Sequence, residues 1–293
     1  ARLVISTIGT YGDILPYLAL GRSLRDQGHH VRLATSASYA ALVRQAELDF
    51  FPCRPDQGPV LVRQRSAEWD HWTERPIRID PEHFDLPGRF ADCCAACAGA
   101  DLLLAAPGQL AAELVHEYTA IPWLSLAVAP AHFSGLARQT ESSTDFTRQF
   151  ADLFNGFRRH LGLAVLPEAA YRHVRFASRI LLGASPHFSR PAEEFAAAIT
   201  QTGFWFGKEW ASPGWNPPPD LEAFLANDPP PLLLAFSSQP VADQAAVVER
   251  YAAAASALDL PLLVQSGWAG LGEHLAPDAL ARAQVKIIGH APH

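Results

Sequence analysis

The chain opens on a short apolar, β-branched run, Leu3-Val4-Ile5-Ser6-Thr7-Ile8, that stops at Gly9 and Gly12. Such a run predicts a buried strand that enters a glycine-bearing loop. Leu15, Leu18, Leu20 and Leu24 then recur at helical spacing, which predicts a helix from about Pro16 to Gln27 with Gly28 as its stop. Val31–Thr35 restarts a strand, and these first 35 residues form a βαβ unit, the unit of a parallel sheet.

The alternation continues. Helices are expected near Ser38–Ala46, Gly88–Ala98 and Gln109–Tyr118, and strands at Leu48–Phe51, Leu102–Ala105 and Trp123–Val128. Between Pro52 and Pro87 the pattern breaks, with Trp69, Trp72 and Phe84 scattered among charges and prolines, the pattern of a long functional insertion. From Thr140 to Phe176 a helix is expected, with Phe146, Phe150, Leu153, Phe154 and Phe157 along one face. That face either packs on the sheet or lines an acceptor or a membrane surface, and packing is the default. Ile180–Leu182 and Thr202–Phe206 read as further strands.

The stretch Trp210-Ala-Ser-Pro-Gly-Trp-Asn-Pro-Pro-Pro219 fits neither helix nor central sheet, and it marks a domain boundary. Residues 1–207 thus form a first domain, 208–219 a proline-rich linker, and 220–293 the start of a second domain. In the second, a helix at Asp220–Asn227, a strand at Leu232–Phe236, a helix at Ala242–Leu258, and strands at Leu262–Ser266 and Val285–Ile288 repeat the same alternation. Three strands are few for a doubly wound domain, so the second domain is expected to be incomplete.

Composition narrows the partners. With 23 Lys+Arg against 30 Asp+Glu and a net charge of −7, the surface does not suit a polyanion, and nucleic acid is an unsuitable partner. No window reaches the length of apolar sequence that a spanning helix needs, and the first residues do not have the pattern of a signal peptide, so a cytoplasmic location is expected. Cys93, Cys94 and Cys97 have helical spacing and read as reduced packing residues, while Cys53 stands alone; no zinc-ligand spacing occurs. The chain contains no Met, which suggests a trimmed product.

In open parallel sheets, ligands bind beyond the carboxyl ends of the strands. The first such loop, Gly9-Thr10-Tyr11-Gly12-Asp13, lacks the G-x-G-x-x-G spacing of a dinucleotide site, which disfavours a nicotinamide or flavin enzyme. It offers a carboxylate, Asp13, at the amino end of a helix, as a cap, as a general base, or as both. His132 and Phe133 follow another strand, where an imidazole and a ring could reach a cleft. Ser237 and Ser238 follow the first strand of the second domain and precede a helix, so their hydroxyls and amides are candidates for holding a phosphate. Trp268, after the next strand, is a candidate for stacking on a ring, with packing as the default. No nucleophile elbow, H-E-x-x-H, Walker A or kinase signature is present.

The segment Ile5 to Pro16, followed by Leu18-Ala19-Leu20 and by Gly28 to Thr35, closely resembles the amino-terminal motif of UDP-sugar-dependent glycosyltransferases of the sterol, macrolide and glycopeptide type. Leu48–Pro52, Ile121-Pro122-Trp123 with Ala129-Pro130, Thr202–Trp205, Pro217–Leu221 and Ser266-Gly267-Trp268 fit the same pattern in the same order. The resemblance implies the α/β GT-B fold, two Rossmann-like domains with the acceptor on the first and the nucleotide sugar mainly on the second. It implies an inverting enzyme without a metal or other cofactor, the nucleotide sugar being a co-substrate. Asp13 would then be the base, with Tyr11, Trp69, Trp72, Phe84, His132 and Phe133 toward a lipophilic acceptor and Gly12, Ser237, Ser238 and Trp268 toward the donor. Ser237 and Gln239 stand where Gly and Met are commoner in the family, and the His- and Gly-rich donor motif that follows a segment like Gly289–His293 is not in the chain. The 293 residues alone are therefore expected to be a poor catalyst. A nucleotide-sugar epimerase of the same fold and a non-catalytic acceptor-binding or activating module remain as alternatives, and a peripheral membrane contact is a further expectation; the oligomeric state is not legible.

Overall fold

A computed structural model describes residues 1–56, 85–130, 144–167, 177–207, 215–238, 241, 243–268, 270–273, 275, 284–289 and 291. They fall into two compact units, one within residues 1–207 and one within 215–291.

The first unit is a seven-stranded parallel sheet in the order β3-β2-β1-β4-β5-β6-β7. Its strands are β1 (Arg2–Ser6), β2 (His30–Thr35), β3 (Asp49–Pro52), β4 (Leu102–Ala105), β5 (Trp123–Ala127), β6 (Ile180–Leu182) and β7 (Ile199–Gln201). The helices are α1 (Tyr11–Asp26), α2 (Ala40–Gln45) after a 3-10 turn at Ala37–Tyr39, α3 (Leu86–Ala96), α4 (Ala112–Thr119), α5 (Thr144–His160) and the short α6 (Glu193–Ala196).

Alternating strand residues serve the two faces of the sheet. Val4, Ala34, Leu103 and Ala105 share a core cluster with Leu86, Phe90 and Cys93 of α3, Leu114 and Val115 of α4, and Phe150 and Phe154 of α5. On the other face α1 comes so close that a methyl group on Gly21 would stand 2.7 Å from Leu48 and 3.5 Å from Ile5 and Val31. A side chain there would require the end of Leu48 to shift. Phe150 and Phe154 are buried in the core, so at these positions the phenylalanine face of α5 is a packing face.

Several expectations move. Helix α1 starts at Tyr11, five residues before Pro16, because Thr10 and Asp13 together cap it. Pro16 lies inside the helix and omits one backbone hydrogen bond there. Helix α5 ends at His160 instead of running to 176: Gly162 takes φ 73, Leu163 donates to the Arg158 carbonyl (2.9 Å) and Gly162 to that of Arg159 (3.1 Å), a glycine-stopped helix end. Thr202–Phe206 is not a strand. The seventh strand precedes it, Gly203 has φ 80, and Trp205 turns back to cover Gly183. Cys53 is not alone either, since it packs in the same cluster as Cys93 and Cys97; all four thiols are free.

The second unit holds a three-stranded parallel sheet, β10-β9-β8, with β8 (Leu232–Ala235), β9 (Leu262–Gln265) and β10 (Val285–Ile288), and the helices α7 (Pro219–Leu225) and α8 (Gln244–Ala257). Val248, Ala252 and Ala255 of α8 cover Leu234, Leu262, Val264 and Val285 on one face. Among the described residues β8 is an edge strand, and its Leu233 is 66% exposed. Among the described residues, no helix is long and apolar enough to cross a membrane.

Candidate active site

The order of the large sheet reverses at β1. One branch runs through β2 to β3, the other through β4 to β7. Neighbouring loops diverge at the carboxyl ends of β1 and β4, and a crevice opens there in folds of this kind. After β1 come Gly9 and Thr10 of the loop and Tyr11, Gly12 and Asp13 of the first turn of α1; the loop after β4 carries Gly108 and Gln109, and a methyl group on Gly108 would stand 3.0 Å from the Ile8 carbonyl oxygen. Gln109 is buried and its Nε2 donates to Ser6 Oγ at 2.8 Å, tying the two loops together.

Asp13 is the third residue of α1 and is half-buried. Its Oδ2 accepts from the Thr10 backbone N–H (2.9 Å) and from Thr10 Oγ1 (3.4 Å), and its own backbone carbonyl accepts from Thr7 Oγ1 (2.7 Å). The carboxylate therefore caps the helix through one oxygen, which fixes its rotamer, while the other oxygen remains for a second partner. Cap and base are compatible in this geometry.

Tyr11 is 38% exposed and meets the buried Tyr39 edge to face, with ring centroids 5.7 Å apart. Gly12 lies beside it, exposed, on the first turn of α1. Below them Tyr17, fully buried one turn on from Asp13, reaches toward the Leu126 carbonyl (3.4 Å), and burial first and Asp13 second push its phenol well above the usual range. Trp69, Trp72, Phe84, His132 and Phe133 lie outside the described residues.

In the second unit the loops after β8 and β9 touch. Trp268 N donates to the Ser237 carbonyl at 2.9 Å, and a methyl group on Gly267 would stand 2.3 Å from that oxygen. Ser237 is exposed with φ 53, and Ser238 is half-buried beside it. Trp268, a stacking candidate with packing as its default, takes the packed role: it is 8% exposed inside the unit. The helix following the serines is capped from within: Asp243 accepts from Ala246 N at 2.9 Å. A phosphate at Ser237 and Ser238 would therefore rely on loop hydroxyls and amides rather than on the end of α8.

A cavity of about 620 Å³ lies at the opposite end of the large sheet, at the amino ends of β1 and β2. Its arginines are engaged: Arg2 with Asp101, Arg25 with Asp26 and Glu47, and Arg32 with Asp49. Its charges are internally matched, and the chemistry is better served at the Asp13 end. Among the described residues, no group of three or more His, Cys, Asp or Glu side chains is arranged to hold a metal ion.

Thr10 and Tyr39 were not singled out from the sequence. Thr10 was legible, since Thr-x-x-Asp is a capping pattern. Tyr39 meets Gly9 across 30 residues, and no local signal announces that contact.

Seven parallel strands with their switch at β1, a glycine-bearing loop there and a second parallel unit are the parts of the GT-B fold. Comparison with known proteins agrees. Residues 3–134 match the glycosyltransferase family 28 N-terminal domain. It is 29% identical to O-mycaminosyltylonolide 6-deoxyallosyltransferase of Streptomyces fradiae, over 91% of this chain and 68% of that enzyme. It is 27% identical to sterol 3-beta-glucosyltransferase of Leptosphaeria maculans, over 99% of this chain but 22% of that protein. Among solved structures, the glycotransferase of kitacinnamycin superposes with a TM-score of 0.63 at 18% identity, covering 98% of this chain and 70% of the other. A Streptomyces sp. SF2575 glycosyltransferase complexed with thymidine diphosphate gives 0.53 at 17% identity, covering 99% and 72%. The resemblance read from the sequence holds, and so does the fold class.

Proposed function

We propose that this chain serves the transfer of a hexose from a nucleotide sugar to a hydroxyl of a lipophilic acceptor, a sterol, polyketide or other natural product, with inversion and without a metal. The acceptor is held by residues 1–207 and the nucleotide sugar by 220–293, joined through the proline-rich 208–219. Asp13 is the base. The observation that carries this is its placement at the switch point, with one carboxylate oxygen tied to Thr10.

The acceptor hydroxyl gives its proton to the remaining oxygen of Asp13 as its own oxygen attacks the anomeric carbon. The bond to the nucleoside diphosphate breaks on the opposite face, and the diphosphate leaves with that electron pair. Orientation and base assistance lower the barrier, together with stabilisation of the leaving diphosphate by Ser237 and Ser238. Tyr11 and the aromatic residues Trp69, Trp72, Phe84, His132 and Phe133 are assigned to the acceptor, and Gly12 to the donor; Trp268 supports the donor loop from inside. The names of the tylonolide and sterol enzymes support the acceptor class, and the thymidine diphosphate complex supports a nucleotide-sugar donor.

The test is nucleoside diphosphate release by the protein from UDP-glucose and from TDP-glucose, with a panel of sterol, polyketide and hydroxy-lipid acceptors. Release that needs an acceptor and is lost in Asp13→Asn is the expected result. Release without any acceptor would point to another reaction, and turnover unchanged in Asp13→Asn would remove Asp13 as the base.

A further inference from the structure

We infer that Tyr39 is a positioning residue for Asp13, acting through Gly9 and Thr10; the inference rests on Asp13 being the base. Tyr39 ends the 3-10 turn that follows β2, the strand next to β1, and it is buried to 3% exposure. Its hydroxyl donates to the Gly9 carbonyl at 3.0 Å. Gly9 has φ 145, and the face where a side chain would stand is covered by the Asp13 carboxylate, 2.2 Å from an added Cβ to Oδ2.

The next backbone N–H, that of Thr10, is the one that holds Oδ2. One phenol thus fixes the peptide whose two sides set the rotamer of the base: the bare Cα that admits the carboxylate and the N–H that grips it. The hydroxyl is suited to a constant donor role, since burial first, then Tyr11, Asp13 and Asp56, keep it protonated far above neutral pH. The buried Tyr39 ring is met edge-on by Tyr11, which is 38% exposed at this loop. Tyr39 also links β2 to the β1 loop, where Gln109 links β4 to β1, so the base stands on a loop braced from both neighbouring strands.

Tyr39→Phe removes the hydroxyl and keeps the ring. In the 293-residue chain, hydrogen exchange at the Thr10 amide, followed by NMR, is expected to speed up about tenfold, because the loop loses its anchor. In turnover assays, kcat is expected to fall about tenfold to a hundredfold while KM for donor and acceptor stays within about twofold, the pattern of a misplaced base. In an Asp13→Asn background the same change is expected to cost nothing further, since the group it positions is gone. Unchanged exchange at Thr10 would overturn the inference, as would a kcat loss of equal size with and without Asp13. Full turnover in Asp13→Asn alone would refute the base and leave the Tyr39 contact to be decided by the Thr10 exchange. Tyr39→Leu, which also removes the ring, should match the Thr10 exchange of Tyr39→Phe, and a slower exchange than wild type in both would count against the inference.

Discussion

Gly9 and Asp13 occupy the same corner of space: a methyl group added to Gly9 would lie 2.2 Å from Asp13 Oδ2 and 2.7 Å from Asp13 Cβ. Because Gly9 also has φ 145, Gly9→Ala carries two costs, backbone strain of roughly 1–3 kcal/mol and expulsion of the carboxylate from the Thr10 N–H. The strain lowers the melting temperature. The expulsion moves the base, and turnover should fall about a hundredfold or more, since misplacement by about 1 Å has that effect. Melting and turnover measured on the same preparation decide it. A destabilised enzyme with intact turnover would mean that the position of Asp13 is not critical.

The Arg158 guanidinium, 2% exposed, is held by both Glu117 oxygens at 2.9 and 2.6 Å, and its Nε donates to the Ala164 carbonyl at 2.6 Å. This ties α5 to α4 and to the turn that ends α5. Glu117→Ala should cost about 3 kcal/mol, because it leaves a buried cation without its carboxylate. Glu117→Ala with Arg158→Met should recover most of that loss, because no buried charge is then stranded. Urea midpoints of the two variants test the coupling; equal midpoints would mean that the pair is not a unit.

What the sequence made legible is what local pattern decides. The apolar runs Leu102–Ala105, Ile180–Leu182 and Val285–Ile288 are strands with the bounds expected of them, because short apolar runs of this kind suit a parallel sheet covered by helices. Asp13 was legible for the same reason, since Thr-x-x-Asp after a strand is a cap. The failures are non-local. Thr202–Phe206 has the composition of a strand, yet Trp205 is drawn back to Gly183, and nothing near Trp205 in sequence signals that partner. The contact of Tyr39 with Gly9 depends likewise on a distant segment, whereas the packing of Trp268 is the default that its sequence position gave. The end of α5 is different: Gly162 was visible as a stop, and the periodic phenylalanines outweighed it.

Cys53 offers a pH test. Its thiol is pushed up to about 12, by burial first and by the nearby Asp92 second, with a counteracting pull from Arg54. In the unfolded chain the thiol ionises near 9. Between about pH 9 and 12 the folded state keeps a proton that the unfolded state has released, so stability falls as pH rises through that window and is indifferent to this group below it. Three pH units correspond to at most about 4 kcal/mol. Cys53→Ala should start less stable at pH 8, from the lost packing, and then decline less steeply. The buried phenols of Tyr17 and Tyr39, also raised, leave a residual alkaline slope. Urea midpoints from pH 8 to 11 for both proteins give the comparison, and parallel curves would mean that Cys53 ionises alike in the folded and unfolded chains.

Gly183 and Trp205 supply the last test, one that isolates packing from backbone strain. A methyl group on Gly183 would stand 2.8 Å from the indole of Trp205, and Gly183 does not have a positive φ, so its substitution carries no conformational penalty. The indole has little room to retreat: its Nε1 donates to Thr202 Oγ1 at 2.8 Å, and its ring lies 5.8 Å from that of the fully buried Tyr17. Gly183→Ala should therefore cost about 1–3 kcal/mol by overpacking. In a Trp205→Leu background the sign should change, because the smaller side chain leaves space that the methyl group fills, and the double variant should be more stable than Trp205→Leu alone. Denaturant midpoints of the four proteins close the cycle. If Gly183→Ala costs the same in both backgrounds, the two residues are not in contact, and the turn that carries Thr202 and Trp205 back over β6 is wrongly placed.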